Sequence, residues 1–279
     1  MPNSSVPELT DRPPLTGGLA RAVIVGPFVV IWSVLWGTWS IAVGVLKLKG
    51  LARWGLTCWS RGILAVAGIR VQVTRRAPLK DARYVFFSNH QSALDIPILM
   101  AVCMQTHDVR FMAKESLFRI PIFGWGMKAT GFVPIRREQA RHSAELLKGM
   151  AQAQSAGGLS YLSFPEGTRS PDGRLQPLKK GAVGLALRMG LPIVPVTLID
   201  AVRANPKKSL RIRAGTVQVV FHEPVCPETG ADGHGVNREL RDDIAARIYE
   251  TLLSALPDEQ RPLPAAGSAP ATNGVIAEP

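Results

Sequence analysis

Tyr84-Val85-Phe86-Phe87-Ser88-Asn89-His90-Gln91-Ser92-Ala93-Leu94-Asp95 joins two kinds of local order. Its first four residues form an apolar run too short for a helix and read as a buried strand. The apolar residues 96–104 that follow read as a helix starting near Asp95. His90 and Asp95 are five positions apart, so in one continuous helix they would point to different faces. They meet only if His90 lies in the turn after the strand and Asp95 at the start of the helix. There a carboxylate fixes the imidazole tautomer and leaves the other nitrogen free to take a proton. Taken alone, the pair reads more simply as a structural turn with Asp95 as N-cap.

Outward from this stretch, strands and helices alternate. Residues 69–74 alternate like a half-exposed strand. Further strands are predicted over 109–113, 131–135, 159–164, 193–198 and 211–222, the last with Gly215 as a bend. Helices are predicted over 123–130, 137–156, 181–189 and 236–256. The pattern predicts an α/β domain over residues 69–256, a mixed, largely buried β-sheet flanked by helices. Residues 1–18 are polar and Pro-rich and read as a disordered leader; residues 257–279, rich in Pro and Ala, read as a disordered tail.

Residues 19–68 differ in kind. No charged residue occurs from Ala22 to Leu46. That exceeds the roughly 20 residues needed to cross a hydrocarbon core and the roughly 7–15 of a signal-peptide apolar region. Every tryptophan but Trp125 falls between Trp32 and Trp59, as expected of rings at a membrane boundary. Residues 51–67 read as a second, amphipathic helix able to lie in the interface. An N-terminal membrane-attached helical segment is therefore expected, either a span or a hairpin dipped into one leaflet. Lys47, Lys49, Arg53 and Arg61 follow the apolar run, so the positive-inside bias places the rest of the chain in the cytoplasm.

Lys and Arg number 33 against 21 acidic residues, a net charge of +12 in 279 residues. Such a surplus calls for an anionic partner. No nucleic-acid motif or aromatic-basic interleaving is present, which argues against nucleic acid. A non-enzymatic, basic, membrane-tethered binding protein is the reading that charge alone would support. The three cysteines form no C-x-x-C pair, and neither they nor the histidines have metal-ligand spacing.

The second informative stretch is Phe164-Pro165-Glu166-Gly167-Thr168-Arg169-Ser170. It follows a strand, which places a carboxylate, a flexible glycine and a guanidinium at the edge where open α/β sheets bind ligands. Lys114 and Arg136-Arg137 follow other strands, and Lys179-Lys180 stand at the start of a helix. There is no G-x-S-x-G elbow and no cysteine beside a histidine, so a covalent nucleophile is not in view. A histidine base beside cations suits a substrate that brings its own hydroxyl and attacks an activated acyl carbon.

These residues resemble the glycerolipid acyltransferases. The run from His90 to Asp95 is similar to that family's H-x4-D motif, and the run from Phe164 to Arg169 to its F-P-E-G-T-R motif. Gly131-Phe132-Val133-Pro134-Ile135-Arg136-Arg137 and Leu191-Pro192-Ile193-Val194-Pro195-Val196 resemble the remaining two blocks, in the same order. The resemblance is strongest to bacterial 1-acyl-sn-glycerol-3-phosphate acyltransferases. It implies His90 as general base with Asp95 orienting it, and Glu166, Gly167, Thr168 and Arg169 at the acceptor. Arg137, Arg136 and Lys114 are implied on the acceptor phosphate; Arg136 stands where the family commonly has an acidic residue. It further implies a lysophospholipid acceptor, acyl-CoA or acyl-carrier protein as donor, and phosphatidic acid as product. No cofactor or metal is called for. The place implied is a bacterial inner membrane, with the domain on its cytoplasmic side. Another lyso-lipid, such as a lyso-ornithine lipid, is an alternative acceptor.

Overall fold

The computed structural model describes residues 16–81, 83–135, 158–226, 238–263 and 276–277. An eight-stranded sheet forms its centre, in the order β1-β9-β8-β3-β6-β4-β5, with β2 also pairing β9. The strands are β1 (Thr16–Gly18), β2 (Ile69–Arg75), β3 (Val85–Ser88), β4 (Val109–Lys114), β5 (Val133–Ile135), β6 (Ser160–Ser163), β8 (Ile193–Ile199) and β9 (Ile212–Phe221). A separate two-stranded sheet joins β7 (Leu178–Lys179) to β10 (Ile276–Ala277). β8, β3, β6, β4 and β5 run parallel, and β9 runs antiparallel to β8. β3 is fully buried, as its apolar run predicts for a central parallel strand.

Two apolar layers enclose the sheet. On one face lie α1 (Leu19–Val45), α2 (Lys49–Ala67) and α3 (Asp95–Cys103), with Trp36, Leu56, Trp59, Phe86, Ile98, Phe111 and Met127 sharing one core. On the other lie α5 (Lys180–Arg188) and α7 (Arg238–Leu253), packed on Phe87, Tyr161, Ile193 and Val220. The remaining helices are α4 (Phe123–Ala129) and the single turn α6 (Ala201–Ala204). The predicted mixed α/β architecture is what forms.

Four local readings change. Thr16–Gly18, assigned to the leader, pairs with Ile212–Ala214 as an edge strand. Gly215 does not interrupt β9, which is continuous over Ile212–Phe221; it opens the ladder with β2 by pairing with Ile69, just past the residues that pair with β1. The tail is ordered at its start, where Asp258–Gln260 forms a 3₁₀ turn with Gln260 buried. The tryptophans are the fourth case. Trp32 and Trp39 donate their indole N–H groups to the carbonyls of Trp59 and Leu51, and Trp59 donates to Ser33. Trp36 packs on Trp59, Phe123 and Phe132. Trp32, Trp39 and Trp59 join α1 to α2 through indole N–H groups that find acceptors, whereas Trp36 joins α1 to the domain by packing, its buried N–H having no acceptor among the described residues. Trp54 and Trp125 are the tryptophans left largely exposed. The predicted helix over 137–156 lies outside the described residues.

α1 is apolar all round, yet it buries one side only: Val25, Trp36, Gly37, Ser40 and Val43. Gly37 and Gly126 bring α1 and α4 together backbone to backbone. A Cβ on Gly126 would sit 2.7 Å from the Gly37 carbonyl oxygen, and one on Gly37 would sit 2.9 Å from that of Ile122. α1 starts beside the first residues of β9 and ends against α4, which follows the C-terminal end of β4. It therefore runs along the edge of the sheet where β3, β6 and β4 end.

Candidate active site

The site is built where β3 and β6, hydrogen-bonded neighbours, both run out. Asn89 prolongs β3 with its side chain. Its carboxamide donates to the Leu198 carbonyl (2.8 Å) and accepts from the Leu198 N–H (2.7 Å), standing in for a ladder pair with β8. His90 then enters the turn. Its backbone N–H donates to Glu166 Oε1 (2.6 Å), and its carbonyl accepts from Ser170 N–H (2.7 Å). The imidazole stacks on the ring of Phe164, with centroids 3.9 Å apart and planes at 14°.

Asp95 opens α3 and is wholly buried. Its Oδ2 lies 2.7 Å from His90 Nδ1 and also accepts the backbone N–H groups of Gln91 (2.6 Å) and Ser92 (2.8 Å). The turn 91–94 thus folds around the carboxylate, as the first turn of a helix does around an N-terminal acid. The motif serves both readings of the sequence at once: Asp95 organises the turn and holds the histidine. With Nδ1–H donating to Asp95, Nε2 is the free lone pair. No hydrogen bond reaches Nε2 among the described residues, and the imidazole remains 15% exposed. Such an arrangement can take up a proton at Nε2 with the tautomer fixed, which is what a general base requires.

Glu166 sits beneath that turn. Its two oxygens accept the N–H groups of His90 and Gln176 (3.1 Å), and the side chain is buried. Burial pushes its pKa up to about 8, against the pull of those two N–H donors. Glu166 fixes the backbone of His90. Gly167 follows at φ +73°, a left-handed conformation that glycine adopts freely, and the Lys179 side chain lies across it. Arg169 is half-buried in the same loop, tied to the histidine turn through Ser170. Lys207 donates to Thr168 Oγ1 (3.4 Å) and to the Arg169 carbonyl. Lys114 ends β4 exposed, two strands from β3 on the same edge, roughly 10 Å away by strand spacing. Its register partner is Ile135, so Arg136 directly follows that pair in sequence; Arg136 and Arg137 themselves lie outside the described residues.

Several residues that hold the site were not signalled by sequence. Gln91 donates to Gly173 O (2.9 Å) and to Gln260 Oε1 (2.7 Å), and Gln260 donates to Asp200 Oδ1 (2.8 Å). Asp200 stands at φ +67° just past β8. Lone polar residues in a turn, a helix start and a Pro-rich tail carry no periodicity from which their meeting could be read. Lys207, in a basic loop before β9, is the same case.

A family model described as Acyltransferase matches residues 70–199. The chain is 38% identical over 178 residues to the chloroplastic 1-acyl-sn-glycerol-3-phosphate acyltransferase of Arabidopsis thaliana, covering 63% of this chain and 48% of that one. It is 30% identical over 244 residues to the 1-acyl-sn-glycerol-3-phosphate acyltransferase of Limnanthes douglasii, covering 84% of this chain and 81% of that one. The chain belongs to the 1-acyl-sn-glycerol-3-phosphate acyltransferase family. A bacterial member of that family, from Pseudomonas aeruginosa, is 29% identical over 234 residues, covering 88% of its length. Against the chloroplastic acyltransferases of Brassica napus and Arabidopsis thaliana, the chain spans about half their length, 44% and 48%. The crystal structure of the 1-acyl-sn-glycerophosphate acyltransferase from Thermotoga maritima shares the fold, with a TM-score of 0.66 at 22% identity over 85% of this chain. Three of the four sequence blocks thus fall at the C-terminal ends of β3, β5 and β6, while the fourth runs along the first half of β8 and reaches the end of β3 only at Val196, which pairs with Ser88.

Proposed function

We propose that this protein transfers a fatty acyl group from acyl-CoA or acyl-carrier protein to the sn-2 hydroxyl of 1-acyl-sn-glycerol-3-phosphate, giving phosphatidic acid. The observation that carries it is the 2.7 Å contact of His90 Nδ1 with buried Asp95, which leaves Nε2 open beside the Arg169 loop. Nε2 accepts the hydroxyl proton as the oxygen attacks the thioester carbonyl. The C–O bond forms, the C–S bond breaks, and the imidazolium returns its proton to the departing thiolate. Asp95 stabilises the imidazolium between those steps. Arg169, Lys114 and the arginines at 136 and 137 supply the cations for the acceptor phosphate. His90→Ala is expected to lower acyl transfer by about 10²–10⁴-fold, the usual worth of a positioned base, with the circular dichroism spectrum unchanged. Activity at the wild-type level would refute the reading. A panel of lyso-lipids offered with one acyl donor identifies the acceptor, because Arg136 leaves room for a headgroup other than glycerol phosphate.

The same reading places the protein on a bilayer through α1 and α2. Val23, Ile24, Val30, Ile31 and Leu35 stand exposed along α1, and its opposite side is packed on the domain over most of its length. A helix fastened along one side lies in the interface with its free face in lipid. Since α1 borders the edge that holds His90, a lysophospholipid reaches the imidazole from the headgroup layer.

A further inference from the structure

The basic loop before β9 is not used by the proposed reaction, and it is unusually shaped. From Ala201 to His222 there is no acidic residue, while Arg203, Lys207, Lys208, Arg211 and Arg213 fall within it. Leu210 in the middle is 79% exposed, more than any other large apolar side chain among the described residues. The exposure is built in. Asn205 is buried, and its Nδ2 donates to the carbonyls of Ser209 (3.1 Å) and Arg211 (2.9 Å), one on each side of Leu210. The Ser209 N–H bonds to Pro206 O, and the Arg211 N–H to Ser209 Oγ, both at 3.1 Å. Lys208 at φ +61° completes the turn. A loop that spends a buried asparagine to hold a leucine outward, between cations, is made to present that leucine.

What it presents it to follows from position and charge. Ile212–Ala214 pair with Thr16–Gly18, and α1 starts at the next residue with Leu19 also exposed. The tip therefore lies at the same edge of the sheet as the apolar face of α1. Arg203 is paired with Asp200 at 3.4 Å, and Lys207 is held by the Thr168–Arg169 loop. Lys208 and Arg211 are exposed. We propose that loop 205–211 is a second bilayer contact, seating Leu210 among lipid headgroups with Lys208 and Arg211 on anionic phosphates. The inference rests on the membrane reading above and adds to it a named contact with anionic lipid. Lys207 gives the contact a consequence, since it ties the inserted loop to the candidate acceptor-binding loop.

The test uses the full-length chain with Cys58 and Cys226 replaced by serine and Leu210→Cys carrying a nitrobenzoxadiazole label. Vesicles containing phosphatidylglycerol should raise the label's emission severalfold and shift it to the blue. In a second protein carrying only Cys58→Ser, a label on native Cys226, exposed beyond the opposite end of β9, should stay aqueous. Lys208→Glu and Arg211→Glu should each weaken binding to those vesicles at least about fivefold and leave binding to neutral phosphatidylcholine vesicles unchanged. Brominated lipid separates the two ways of failing. Tryptophan quenching with an aqueous label at position 210 overturns this inference and leaves the α1 docking intact. No tryptophan quenching removes both. A label that responds to acyl-carrier protein and not to vesicles makes the loop a protein contact and overturns the lipid assignment.

Discussion

Between Ser88 and Asp95 the polar groups are mostly buried and paired, Asp95 Oδ1 and His90 Nε2 being the exceptions, while along α1 Val23, Ile24, Val30 and Ile31 stand in contact with solvent. Each would be costly if it stood alone. Buried polar groups destabilise a fold unless every one finds a partner, and exposed apolar surface of this extent promotes association. The first is resolved within the molecule by carbonyls, amides and Asp95 Oδ2, with Oδ1 of the same carboxylate left without a partner among the described residues. The second is resolved outside it, by a lipid surface under the proposed function. The two regions border one edge of the sheet, so under the proposed function the histidine lies next to the surface that would bring it substrate.

The contrast can be broken hardest at Asp95. Asp95→Asn keeps the shape but removes the charge that holds the imidazole tautomer, and kcat is expected to fall about 10³–10⁴-fold, as in other histidine–carboxylate pairs. Steady-state assays with a thermal melt check it. A melting point near wild type with lost activity separates positioning from collapse.

On α1 the two faces should answer differently. Trp36→Ala, on the buried face, is expected to cost about 3–5 kcal/mol of stability in denaturant titrations. Val30→Glu with Leu35→Glu, on the exposed face, should leave stability within about 1 kcal/mol while releasing the protein from sedimenting vesicles. Equal destabilisation by both changes would show that α1 has no free face.

A smaller effect is expected of Gln260→Ala. It leaves the Gln91 amide and Asp200 without their shared partner, a loss of about 1–3 kcal/mol for buried groups. Activity should drop through kcat with KM little changed, because the histidine turn loosens while the acceptor loop stays.

The subtlest test is pH. Glu166, at about 8 in the fold against 4.5 in the open chain, binds a proton in the native state over that interval, so its contribution to stability falls as pH rises. His222 has the opposite sign. Burial and then the Arg76 charge push it down to about 4 from 6.5, so its contribution falls as pH drops through that interval. From about 4.5 to 6.5 the two slopes offset, and the Glu166 loss emerges between about 6.5 and 8. Glu166→Gln should flatten the upper limb of stability against pH measured by urea titration.

The fold was largely legible because its signals are local. The apolar run before Ser88 and the alternation at 69–74 each specify an element without reference to the rest. The His90–Asp95 contact was legible for the same reason, being contained in one turn. Gln260, Asp200 and Asn89 were not, since each acts across the sheet on a residue more than fifty positions away. The tryptophans show the opposite error: their clustering signalled apolar surroundings, and packing between helices satisfied it as well as lipid would. Thr16–Gly18 forms a strand because β9 offers it an edge, which three residues cannot announce.

Asn89 has one more consequence. By exchanging both hydrogen bonds with Leu198 it fastens the chain on one side of His90, while Asp95 fastens it on the other. The number of residues between these two anchors is therefore as strictly set as the register of a strand. Adding or deleting one would turn the imidazole off its carboxylate, so length variation among homologous chains should be found everywhere along this edge except there.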